Sequence, residues 1–139
     1  MTNSRRLLLA AASYVILTFI IAATWHLVAF KAVYEQLAIY TRSEPIIPLG
    51  IASMIVQAVI FALLYPRFAR GVSPAREGAL FGLVMGAFLA SYAVLADAAK
   101  LEVTSLGTWL ALEGIYYLIQ FPLVGLVFGL IYGRSSKAG

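Results

Sequence analysis

The chain of 139 residues is 63% hydrophobic and 12% charged, with a mean hydropathy of +0.94, a balance outside the range of water-soluble domains. Cysteine is absent, which excludes a disulfide framework, a thiolate metal site, a cysteine nucleophile and palmitoylation, and with a single histidine this argues against a zinc or iron–sulfur centre and leaves His26 as the one nitrogen ligand a haem would have. The net charge of +4 does not gather into one basic face: Lys and Arg fall in short segments between apolar runs, a pattern of membrane topology that argues against a nucleic-acid partner.

A helix needs about 20 apolar residues to cross the hydrocarbon core of a bilayer, and the sequence predicts four such spans, 7–30, 46–65, 78–96 and 109–132. The first follows Arg5 and Arg6, as the core of a secretory signal would. Leu7–Phe30 nevertheless exceeds an h-region of roughly 7–15 residues and reads as an uncleaved helix. The connector after it, KAVYEQLAIYTRSEP, sets Val33, Leu37 and Ile39 with Tyr34 and Tyr40 among charges, the composition of a short helix lying in the interface. Between the second and third spans, PRFARGVSPARE carries Pro66, Gly71 and Pro74, which break helix on leaving the membrane, and Ser73 is placed to cap a helix beginning at Pro74. No period-2 alternation suggests a barrel, so the backbone bonds of each crossing require helix. The expected fold class is an all-α integral membrane protein, a single domain over residues 1–139 forming a compact bundle of four transmembrane helices.

Orientation follows from basic residues. Arg5, Arg6, Arg67, Arg70, Arg76, Arg134 and Lys137 fall on one side of this arrangement and Lys31, Arg42 and Lys100 on the other. That bias puts both termini in the cytoplasm and argues against dual topology. Glu35, Glu44 and Glu102 then lie in the two outer connectors, Asp97 sits where the third span emerges, and Glu77 belongs to the inner loop.

Gly78, Gly82, Gly86 and Ala90 recur every four residues in the third span, and Gly125, Gly129 and Gly133 do so in the fourth. Apolar burial does not drive helices together within lipid, so these small-xxx-small faces predict close backbone approach. The short connector favours the two spans as each other's partner, with a second subunit as the alternative. A further correspondence, ALLYPR at 62–67 against GLIYGR at 129–134, reads either as the trace of a duplicated hairpin or as ordinary Tyr and Arg anchoring.

At 1.5 Å per residue, His26 and Glu113 fall near the outer ends of their spans, with Tyr92, Asp97, Tyr116 and Tyr117 in the same zone and Gln57 and Gln120 near the midplane. Glu113, Tyr117 and Gln120 at i, i+4 and i+7 form a polar row distinct from the glycine row, and Pro122 lies between the two as a kink or a packing feature. Ionisable residues within membrane spans are functional candidates. A pocket drawing on His26, Glu113, Tyr117, Gln120, Gln57, Tyr92 and Asp97 suits a quinone, a lipid, another amphiphile or a proton. The competing reading is an aromatic belt of Trp25, His26, Tyr34, Trp109, Tyr116 and Tyr117, with Glu113 facing interfacial water. Ser13, Ser53 and Ser91 have no histidine at a readable spacing and serve as interhelical hydrogen-bond donors.

With PIIPLGIASMIVQ as its most distinctive stretch, the chain resembles small four-span membrane proteins of bacteria, which implies a multi-pass location in the cytoplasmic (inner) membrane. Its span count is similar to that of small multidrug transporters, but the acidic residue they require in the middle of the first helix has no counterpart between Leu7 and Phe30. The residues themselves support two functions. One is a noncatalytic accessory or scaffold subunit that packs through its small-residue faces against a membrane-protein partner or further copies of itself. The other is an amphiphile-binding protein or proton-coupled carrier with an outer-leaflet pocket. No catalytic residue and no particular cofactor is indicated. A homo-oligomeric pore ranks below both, because its midplane lining of Gln57, Gln120 and Ser91 is sparse.

Overall fold

The computed structural model describes residues 3–39, 42 and 44–133, most of them helical and none in a strand. Helix α1 (Asn3–Ala22) continues as a π-helical segment (Ala23–Ala29). The short α2 (Lys31–Leu37) and α3 (Ile47–Phe68) follow, then α4 (Pro74–Ala90) with its own π-helical continuation (Ser91–Ala96), and α5 (Leu106–Gly133). Among the described residues four helices are long and apolar enough to cross a membrane: α1 and α4, each with its π-helical continuation, α3 and α5. They extend past the apolar runs into polar sequence, α4 because Pro74, with φ fixed and no N–H to satisfy, is a favourable first helical residue. Tyr40, Arg134 and Lys137, which entered the reading of connectors and charge, lie outside the described residues.

Sequential long helices run antiparallel. The chain ends and the α3–α4 connector therefore share one end, called here the termini end, while α2 and the α4–α5 connector occupy the distal end. Helix α5 is central, packing most extensively on α4 and also on α1, which in turn packs on α3. The α4–α5 contact is made by the two glycine rows. A Cβ on Gly78 would overlap the Gly125 carbonyl oxygen, one on Gly82 the Phe121 carbonyl, one on Gly125 the Gly78 carbonyl and one on Gly129 the Pro74 carbonyl. Gly86 faces the Phe121 side chain and Gly133 that of Pro74. Each row is thus covered by the other within one chain, and backbone meets backbone where any side chain would hold the helices apart. Ala90 lies past the end of this contact, half-buried beside the distal cluster.

Two clusters fill the interior. Tyr14, Phe61, Tyr65, Phe81 and Phe128 interleave edge to face through the middle and toward the termini end, for example Tyr14 on Phe61 at 5.0 Å between centroids and Tyr65 on Phe81 at 5.2 Å, with Phe121 tilted against Phe61. Tyr34, Leu37, Val94, Trp109 and Leu112 form the distal cluster.

The loop chemistry at the termini end differs from expectation in two places. Pro66 does not end α3, which continues to Phe68. Lacking an N–H, Pro66 leaves the Ala62 carbonyl without its helical donor, and the Tyr132 hydroxyl of α5 donates to that carbonyl at 3.0 Å. Ser73 precedes Pro74 at the cap position, but its hydroxyl makes no capping bond. The Glu77 carboxylate instead accepts the backbone N–H groups of Arg70 (2.7 Å), Gly71 (3.0 Å), Val72 (2.9 Å) and Ser73 (3.1 Å). These donors precede the helix, and Gly71, at φ +80, lets the chain curl around the carboxylate. Pro122 sits inside α5 without interrupting the helix.

Candidate functional site at the distal end

The first π-helical segment carries His26. There the Phe30 N–H bonds the Trp25 carbonyl five residues back at 3.0 Å, and such wide turns recur at functional sites. His26 Nδ1 lies 3.0 Å from the Ala22 carbonyl, an acceptor, so hydrogen-bond geometry assigns a proton to Nδ1. Nε2 then faces Glu113 Oε1 of α5 at 3.3 Å. The Tyr34 hydroxyl of α2 donates to the same Oε1. His26 packs between two phenol rings, Tyr34 at 4.7 Å and Tyr116 at 4.7 Å.

Helix α2 brings Tyr34 to this pair. Tyr34 and Leu37, three residues apart on one face, anchor in the distal cluster. Ala38 closes the helix in the left-handed region at φ 57, and Thr104, from the α4–α5 connector, bonds the exposed carbonyls, its hydroxyl donating to Gln36 at 2.7 Å. The second π-helical segment presents the Val94 carbonyl, which accepts from Trp109 Nε1 at 3.0 Å and fixes the start of α5. Glu113, one turn further, is only 6% exposed and does not face bulk solvent.

Beside the pair a groove of about 1060 Å³ opens between α2, the first π-helical segment and the start of α3. His26 and Tyr34 stand on its wall, with Glu113 behind them. Leu27, Ile39, Leu49 and Gly50 supply apolar lining, and Lys31, Glu35, Arg42 and Glu44 supply charge, Lys31 and Glu35 being paired at 3.8 Å. Nothing lies within 4 Å of where a Cβ on Gly50 would sit.

Of the other residues singled out in the sequence, Gln120 is 2% exposed and donates weakly to Thr18 of α1 at 3.4 Å, while its Oε1 has no partner among the described residues. Gln57 accepts from the Tyr14 hydroxyl at 2.7 Å and bonds Ser53 at 3.3 Å. Tyr117 stacks on Phe121 at 5.2 Å and bridges the two clusters. The polar row of α5 therefore faces α1 while its glycine row faces α4. Tyr92 and Asp97 form a separate surface arrangement around Lys100, whose ammonium bonds Asp97 at 2.9 Å and Tyr92 at 3.2 Å. Those bonds, to Asp97 first and Tyr92 second, raise the Lys100 pKa above the ordinary lysine value.

Three partners escaped sequence reasoning: Tyr34, which had been grouped with the aromatic belt, and Tyr14 and Thr18. The last two had a signal, since Ala10, Tyr14 and Thr18 repeat every four residues and are the buried residues of α1. Comparison with protein-family models, with curated proteins and with solved structures finds no match for this chain.

Proposed function

We propose that this is a multi-pass membrane protein with both termini cytoplasmic, which binds an amphiphile in the outer-leaflet groove and holds its headgroup at His26, Glu113 and Tyr34. The observation that carries the reading is the buried Glu113 carboxyl, bonded from two other elements by groups that stand on the wall of an amphipathic groove. Burying an ionisable group within a membrane span is costly, which makes Glu113 a functional candidate. At 3.3 Å the contact between His26 and Glu113 is looser than the 2.7–2.9 Å usual for charged pairs, so Nε2 can turn to a polar group of the headgroup. A quinone fits this chemistry, as does a lipid ester. The accessory-subunit reading has less support, because the glycine rows that would serve a partner face each other.

Native mass spectrometry of the protein released from its membrane in mild detergent tests the proposal. The expected result is a lone chain retaining a small amphiphile, which is lost on His26→Ala, Glu113→Gln or Gly50→Leu and kept on Tyr92→Phe. Stoichiometric foreign subunits with an empty groove would return the weight to the accessory reading.

A further inference from the structure

We infer that the termini end holds a binding site for a phosphate-bearing anion, met in a membrane as the headgroup of an acidic phospholipid. This goes beyond the amphiphile reading and shares with it only the placement of the chain in a bilayer.

A cavity of about 510 Å³ lies between the start of α1, the last turn of α3 and the end of α5. Arg6 of α1 and Arg67 of α3 both line it, joined by Asn3, with Leu7, Leu63 and Tyr132 among the rest of its wall. No described residue on that wall is acidic. Arg67 Nη1 donates to the Leu63 carbonyl of its own helix, which lays the side chain along α3, and a guanidinium carries five N–H donors in a planar fork. The Tyr132 ring is fixed by its bond to the carbonyl that Pro66 leaves open. Two guanidinium groups lining one cavity from separate helices suit the oxygens of a phosphate better than two ammonium groups would. The leucines beside them offer an apolar surface to the glycerol and first methylenes, as in basic pockets between helices that take acidic headgroups. Arg5, Arg70 and Arg76 at the same end add positive potential. A zwitterionic lipid carries the same phosphate together with a cation that this field repels, so the site selects for net negative charge.

The test titrates the detergent-purified full chain with phosphatidylglycerol or phosphatidylcholine and reads occupancy by native mass spectrometry. Phosphatidylglycerol should bind about fivefold more weakly to Arg6→Gln or Arg67→Gln and about thirtyfold more weakly to the double variant. Phosphatidylcholine should bind weakly to all of them. Arg76→Gln, exposed at the same end but outside the cavity, removes only a screened part of the field and should lower the affinity by less than about twofold, and thermal unfolding in phosphatidylcholine nanodiscs serves as the folding control. Displacement of the lipid by inorganic phosphate supports the pocket and assigns it to the free anion, whereas persistence of the lipid supports the headgroup. Equal affinity of the native chain for both lipids, or equal losses for Arg67→Gln and Arg76→Gln, overturns the inference. The distal groove is read independently through Gly50→Leu, so failure at one site is distinguishable from failure at the other.

Discussion

Glu113 is held by two groups from different elements, and each is needed because a buried carboxyl that loses a bonding partner keeps its desolvation cost. Tyr34→Phe should therefore lower stability by about 1–3 kcal/mol, read by denaturant unfolding in micelles, although the ring keeps its volume. At the other end Glu77 gathers four backbone N–H groups, so Glu77→Ala should speed amide exchange at Arg70–Ser73 selectively, leaving protection within α4 and α5 unchanged. His26 and Glu113 stood out in the sequence because ionisable groups are rare in apolar runs. Tyr34 did not: it lies 79 positions from Glu113, in a connector whose tyrosines look alike until the chain is folded.

Among the helices, glycines divide by what they face. Gly82→Ala or Gly125→Ala pushes a methyl into the neighbouring backbone and should destabilise by about 1–3 kcal/mol. Gly114→Ala meets open space and should be neutral or stabilising by up to about 1 kcal/mol. A thermal series in one detergent separates the two groups; equal effects at Gly82 and Gly114 would sink the interlocked-row account. The Tyr132 bond belongs to the same scale. Tyr132→Phe should cost about 0.5–1 kcal/mol, and less once Pro66→Ala has restored an N–H to the Ala62 carbonyl, a coupling that a double-mutant cycle measures. The four-residue phase of the glycines was readable before folding because it depends only on helical geometry. Neither π-helical segment was, because no residue type demands one and their wide turns are tied to contacts such as that of Trp109 with Val94.

For the molecule as a whole, the groove and the bundle are separable. Gly50 lines the groove with open space where a side chain would stand, so Gly50→Leu should leave the unfolding temperature no lower than that of the native chain while abolishing retention of the amphiphile. Since the chain has no cysteine, single cysteines report orientation directly. Glu102→Cys should react with an impermeant maleimide in intact cells, and Arg76→Cys only after lysis; the reverse pattern would invert the proposed topology. The number of long apolar helices, their approximate limits and the existence of two small-residue faces were all determined by the sequence alone, because each follows from local composition and a fixed 3.6-residue period. Pairing was decided only by tertiary structure: α4 against α5 through the glycines, the polar row of α5 against α1, and α2 folded over so that Tyr34 meets Glu113. These are contacts between residues up to 102 positions apart, and close packing selects them collectively, so no single stretch of sequence contains them.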